Sequence, residues 1–252
     1  MLVVNNVSKI LKKNPILKNV SFTINEGDLV GFVGDNGAGK TTTIKCIFNE
    51  FKIDSGKITY QGKPLQGTEI LRDIFFFADS NNIPLNLSVR KYIMYTAYHL
   101  GLDKQQIEQR IESICKSLNL SEHLKKHISE LSAGMKKRAI LASALVCGPK
   151  IIFLDEPTAN LDVESKLELI NLLKDLHKKG VTIFITSHII EELQGMINKL
   201  IIIKKGEIVY NNVFDNKKEQ IINIYKKYTN NKTIDSSVLN DIYADKGENN
   251  EK

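Results

Sequence analysis

The chain has 252 residues, 42% of them apolar, with a net charge of +6 and a pI near 9.0. That supplies core enough for one large α/β domain or two small ones and excludes a globally disordered chain. No apolar run approaches the ~18 residues of a membrane-spanning helix, and Met1–Asn5 lack the features of a signal peptide. A cytosolic protein without a membrane span is expected. The basic balance would suit nucleic acid or anionic lipid, but a Lys/Asn/Ile-rich composition raises the pI by itself and nominates neither. Cys46, Cys115 and Cys147 are scattered through apolar helical stretches, which predicts buried, reduced thiols and no metal site.

In chain order, Leu2–Val7 and Val20–Ile24 read as strands, and Asn25-Glu26-Gly27-Asp28 turns the chain into the buried strand Leu29–Val33. Next comes Gly34-Asp35-Asn36-Gly37-Ala38-Gly39-Lys40-Thr41, which matches G-x-x-x-x-G-K-[ST], the P-loop. From Thr42 to Phe48 apolar residues recur at helical spacing. Strand, glycine loop and helix in this order aim backbone N–H groups and a helix N-terminus at one point, an anion site. Lys40 can then reach the β- and γ-phosphates of a nucleotide, and the Thr41 hydroxyl can ligand Mg²⁺.

Asp54–Lys57 is a further turn, and Ile58–Tyr60 and Ile74–Ala78 read as strands. From Ser88 to Val146 the periodicity becomes helical, with Ile107, Ile111, Ile114 and Leu118 on one face, which predicts an inserted helical subdomain. The strand Ile151–Leu154 ends in Asp155-Glu156-Pro157. Carboxylates at the C-terminal end of a buried strand lie where ligands bind in open α/β sheets. Asp155 is placed to hold Mg²⁺, directly or through water, and Glu156 to orient and deprotonate a water attacking the γ-phosphate. A helix through Leu167, Ile170, Leu173 and Leu176 follows, then the strand Val181–Thr186 and a helix near Ile189–Met196. Strands Leu200–Ile203 and Glu207–Tyr210 and a helix over Glu219–Tyr228 complete the pattern. Alternating strands and helices predict a mostly parallel sheet covered on both faces, within an α/β fold that also holds an antiparallel β portion. The implied organisation is an α/β ATP-binding core from 1–87 and 149–211, a helical unit at 88–148, and an extension at 212–252 whose last residues are expected to be disordered.

Leu131-Ser132-Ala133-Gly134-Met135 heads a basic helix before the acidic strand, Ala159-Asn160-Leu161-Asp162 follows that strand, and His188 closes the next one. Alone, Leu-Ser-x-Gly is a common N-cap and a lone His after a strand is usually structural. In this order and behind a P-loop, they resemble the nucleotide-binding domain of ABC (ATP-binding cassette) transporters over roughly Leu2 to Asn211. The resemblance implies a P-loop NTPase fold and Mg²⁺-dependent ATP hydrolysis. It also implies a second cassette as partner and a separate integral membrane permease, with the chain peripheral on the cytoplasmic face and no role for nucleic acid. Lys40, Glu156 and His188 would act in catalysis. Residues 34–41 with Thr42 would hold the phosphates, and Ser132 and Gly134 would close the partner's site. Asp162 would belong to the loop coupling the two sites.

Leu11 stands where the family usually has an aromatic that stacks on adenine, so the base would pack on an aliphatic side chain. Asp79 replaces an expected glutamine as the third candidate Mg²⁺ ligand, beside Thr41 and Asp155. Met135, Asp79 and Leu87–Tyr92 are most similar to export-type cassettes of bacterial drug, bacteriocin or peptide efflux and immunity systems, as is the tail element Val238–Tyr243. The loop Asp79–Leu87 is the expected docking surface for the permease, with Ile83, Leu85 and Leu87 as apolar anchors or, alternatively, as packing beneath the loop. A soluble single-cassette ATPase, for example of the iron–sulfur assembly type, and a non-hydrolysing regulatory cassette stay open as alternatives.

Overall fold

The computed structural model describes residues 1–65, 73–77, 83–99 and 101–229. The expectations for Asp79, for Val238–Tyr243 and for the last residues of the extension lie outside the described residues. The first strands are β1 (Leu2–Leu11), β2 (Asn14–Ile24) and β3 (Leu29–Val33), and helix α1 (Lys40–Ile47) follows the P-loop. Next come β4 (Ser55–Tyr60), β5 (Lys63–Pro64) and β6 (Ile74–Phe77). Helices α2 (Val89–His99), α3 (Lys104–Ser117) and α4 (Ala133–Cys147) follow in the stretch before the next strand. The remaining elements are β7 (Ile151–Asp155), α5 (Val163–Lys178), β8 (Thr182–Ser187), α6 (Ile190–Leu193), β9 (Lys199–Lys204), β10 (Glu207–Val213) and α7 (Ile221–Thr229).

Two sheets result. One is antiparallel, in the order β2-β1-β4-β5, and the other has six strands in the order β10-β9-β3-β8-β7-β6. Within the second, β9, β3, β8, β7 and β6 run parallel and β10 closes the edge antiparallel. Its central strand β3 is buried throughout and divides its side chains by the period of two. Leu29 and Val33 join the helix-covered core, while Val30 and Phe32 face the antiparallel sheet. Between the sheets the rings of Phe22, Phe32, Phe184 and Phe153 pack in sequence, with centroids 5.0–5.8 Å apart. Each buried Phe contributes about 1.5–3 kcal/mol relative to exposure, so this layer fixes the two sheets together.

The first hairpin departs from expectation. β1 runs past Val7 to Leu11 and β2 starts at Asn14 rather than Val20, around a turn with positive φ at Lys12 and Lys13. Register shifts between Val4 and Val7, Val7 and Lys9, and Lys9 and Ile10 break the alternation that would have marked the longer strands. α6 stops at Leu193 instead of reaching Met196, because Gly195 takes a φ of 99°. Cys46 and Cys115 are buried and Cys147 half-buried, all three free, and burial pushes each thiol up to about 11. Cys46 and Cys115 are thus buried thiols, as expected, whereas Cys147 is only partly covered.

Candidate functional site

Strands β3, β8 and β7 are neighbours and run the same way, so their C-terminal ends open on one edge of the sheet. The P-loop leaves β3 at Gly34 and enters α1 at Lys40. Gly39 caps that helix with φ 115°, a conformation side-chain-bearing residues rarely adopt. Asp35, Asn36 and Gly37 form an exposed lip, whereas Ala38 and Gly39 are buried. Thr41 is exposed on the first turn of α1 and Thr42 half-buried beside it. Lys40 is 6% exposed; its ammonium donates to Gly34 O at 2.8 Å and Asp35 O at 3.4 Å and lies 3.4 Å from Glu156 Oε1.

Glu156 follows β7 with a φ of 47°, a strained conformation for a residue with a Cβ. Thr186 holds it there. The Glu156 N–H donates to Thr186 Oγ1 at 3.0 Å and Thr186 O at 3.2 Å, while the Thr186 hydroxyl donates to Asp155 Oδ1 at 2.5 Å. Asp155 and Thr186 are register partners in the sheet, so one hydroxyl aligns both acids. Glu156 Oε2 in turn bonds His188 Nδ1 at 2.8 Å and lies 3.4 Å from the His188 N–H that donates to it. Lysine, glutamate and histidine thus form one continuous chain across the strand ends. Sequence reading passed over Thr186, whose partner Asp155 lies 31 residues away and meets it only through the register of β7 and β8.

The signature residues sit elsewhere. Ser132 is exposed and caps α4, its Oγ accepting from Met135 N–H at 3.2 Å. Gly134 lies against α5, where an added Cβ would come within 2.8 Å of Ser165 Oγ. Asp162 caps α5 and accepts from the Ser165 N–H at 2.8 Å and the Ser165 hydroxyl at 2.9 Å. Those bonds, the backbone N–H first, hold its carboxyl below the usual carboxylate range. Among the described residues no hydrogen bond or ion pair joins Ser132 or Gly134 to residues 34–41. Lys137, 7% exposed on α4, donates to the carbonyls of Pro157 and of Ala159, the latter at 2.6 Å. It therefore ties the helix headed by Ser132 to the loop running from Glu156 to Asp162, a link that sequence reading missed because its partners are main-chain atoms.

Leu11 ends β1 opposite Asn14 and is half-buried. The stretch of the hairpin that touches the P-loop is β2, where Leu17 Cδ2 would lie 2.8 Å from a Cβ on Gly39. Of the candidate metal ligands, Asp155 ends β7, Thr41 lies on the first turn of α1, and Asp79 lies outside the described residues. In the expected docking loop, Ile83 is 8% exposed within the core and Leu87 half-buried against it, whereas Leu85 is 43% exposed. Packing thus claims two of the three supposed anchors.

The sequence model of the family described as "ABC transporter" matches residues 17–159. The chain belongs to the ABC transporter family. A second model, "AAA domain, putative AbiEii toxin, Type IV TA system", matches residues 127–194, inside the stretch carrying Ser132, Glu156 and His188. The cassette is 32% identical over 82% of its length to the SkfA peptide export ATP-binding protein SkfE of Bacillus subtilis, covering 86% of that protein. It is 30% identical over 83% of its length to the linearmycin resistance ATP-binding protein LnrL of the same organism, covering 68% of it. To the Nod factor export ATP-binding protein I of Rhizobium etli the identity is 30%, over 81% of the cassette and 66% of that protein. It spans 35% of the length of an ABC transporter ATP-binding protein of Clostridium perfringens to which it is 36% identical. A bacterial ABC transporter cassette solved as a dimer superposes with a TM-score of 0.77 at 25% identity, covering 85% of this chain and 99% of that one. Another structure of that cassette, post-hydrolysis and bound to ADP and phosphate, gives a TM-score of 0.76 at 25% identity. Members of the family are ATPases, and the export-type relatives agree with the resemblance read from the motifs.

Proposed function

We propose that this cassette hydrolyses ATP to drive export through a separate membrane permease, two cassettes joining around the nucleotide. The observation that carries the reading is the chain Lys40–Glu156–His188 at the strand ends, which joins the P-loop lysine to the acid next to Asp155. In it, the N–H groups of residues 34–41 with Thr42 bind phosphates and Lys40 neutralises them. Glu156 accepts the proton of the attacking water, and His188 orients both water and γ-phosphate. Leu11 packs on the base.

Among the described residues no group of three or more His, Cys, Asp or Glu side chains could hold a metal ion. A hydroxyl and a carboxylate, Thr41 and Asp155, nonetheless suit Mg²⁺, which takes few protein oxygens and completes its shell with water and phosphate. When bound, it would neutralise charge developing on the phosphate oxygens. Asp79 is kept as a third ligand of the proposal. The functional units follow the same reading: an ATP-binding core at 1–87 and 149–211, a helical unit at 88–148 and an extension at 212–252. Assay of the purified chain for Mg²⁺-dependent phosphate release tests the chemistry; no release above background overturns it.

The separation of Ser132 from the P-loop supports a composite site, in which each α4 N-terminus caps the γ-phosphate held by the other subunit. A Glu156→Gln chain with ATP and Mg²⁺ should then sediment as a dimer, and adding Ser132→Arg should return it to monomer. A dimer that survives Ser132→Arg would remove the signature from the interface.

The relatives named above are ABC transporter ATP-binding proteins, three of them with export or resistance names, and nothing specific favours a soluble iron–sulfur assembly role. Among the described residues no helix is long and apolar enough to cross a membrane, so membrane attachment falls to the permease. Leu85, the exposed residue of the docking loop, is the proposed anchor, and the cassette works at the cytoplasmic face. Leu85→Glu should abolish recovery of the cassette with permease-containing membranes while the ATPase rate of the isolated chain stays within about twofold. Unchanged recovery would place the docking surface elsewhere.

A further inference from the structure

The P-loop is also held by a residue that no motif names. Tyr225, in the middle of α7, is 8% exposed, and its hydroxyl donates to Asp35 Oδ1 at 2.6 Å across 190 residues of sequence. The acceptor is the second residue of the P-loop, whose carbonyl accepts from Ala38 N–H at 3.0 Å and from Lys40. α7 is itself pinned at both ends. Gln194, just beyond α6, accepts from Ile221 N–H at 2.8 Å and donates to Glu219 O at 3.1 Å. Lys204, at the end of β9, donates to Thr229 O, and the Thr229 hydroxyl donates back to Tyr225 O at 2.7 Å. The helix is therefore a strut between the segment that follows His188 and the lip of the P-loop.

The chemistry at the contact has a direction. Asp35 is an anion at the mouth of a loop read here as the seat of a polyphosphate. A free carboxylate there would repel the phosphates and compete with them for the loop's N–H groups. A buried phenol needs an acceptor, and an O–H···O⁻ bond is about twice as strong as a neutral one. Burial, then the bond to Asp35, push the Tyr225 hydroxyl far up, so it stays a donor throughout the physiological range.

We propose that Tyr225 is a positioning residue for nucleotide binding: α7 draws the Asp35 carboxylate aside and fixes the first turn of the P-loop, so the C-terminal extension sets the affinity of the cassette for ATP. This rests on the ATP reading above. Tyr225→Phe in the full-length chain keeps the ring and removes only the hydroxyl. With methylanthraniloyl-labelled ATP as probe, binding should weaken about tenfold, KM for ATP should rise in step, and kcat should stay unchanged. The melting temperature without nucleotide should change little. In an Asp35→Ala background the same substitution should have almost no effect on binding, because its partner is gone.

Wild-type binding and KM in Tyr225→Phe would overturn the strut while leaving the ATP reading in place. A loss of equal size in the Asp35→Ala background would assign Tyr225 to packing alone and overturn it too. A wild-type chain that binds no labelled ATP would overturn the ATP reading and the strut with it.

Discussion

Glu156→Gln should abolish steady-state ATP hydrolysis, by about 10²–10⁴-fold, and leave ATP binding intact. The substitution is close to isosteric, and the backbone bonds that hold residue 156 in place do not involve its charge. Its N–H stays bonded to Thr186, and the amide oxygen can accept from His188 Nδ1 as the carboxylate does. What disappears is the ability to take a proton from water. The negative charge facing Lys40 at 3.4 Å also disappears, which should help rather than hinder a polyanion entering the site. The measurement is phosphate release beside equilibrium binding of ATP. Wild-type turnover would remove Glu156 from the chemistry, and loss of binding together with turnover would mean that the acid is structural.

Lys40→Ala should act one step earlier, weakening ATP affinity by about 10²-fold through loss of charge-assisted bonds to the phosphates. The structure adds a second effect. The Lys40 ammonium is the donor to the buried carbonyl of Gly34 and lies 3.4 Å from Glu156, so its removal loosens the loop and takes a positive charge away from the acid. Hydrolysis at saturating ATP should therefore fall as well, unlike in Tyr225→Phe, where only affinity moves. Titration calorimetry against turnover separates the two. An unaltered dissociation constant would contradict the assignment of Lys40 to phosphate binding.

Much of this was legible in the chain because the chemistry is local in sequence. Strand β3, the glycine loop and α1 are contiguous, and their pattern of apolar run, glycines and Lys-Thr is dictated by the turn they make. The same holds for β7 with its two terminal acids and for Ser132 and Asp162 as helix caps, which accept from backbone N–H donors three residues on. Where local periodicity was interrupted, reading failed. The bulges of β1 hid half of the first hairpin, and Ile83, apolar in a polar loop, was equally compatible with docking and with the core it joins.

The sequence by itself determined the family, the parallel α/β architecture and the candidates for the site, since each rests on short motifs in a set order. Only the tertiary structure decided which groups meet. Lys40 reaches Glu156 because β3 and β7 flank β8, an adjacency created by crossovers that no local pattern encodes. Thr186 aligns both acids through sheet register, Lys137 ties α4 to the Glu156–Asp162 loop through main-chain carbonyls, and Tyr225 reaches Asp35 from the far end of the chain. Such contacts carry no sequence signature because their partners are backbone atoms or residues 31 to 190 positions away, brought within bonding distance only when the sheet is assembled.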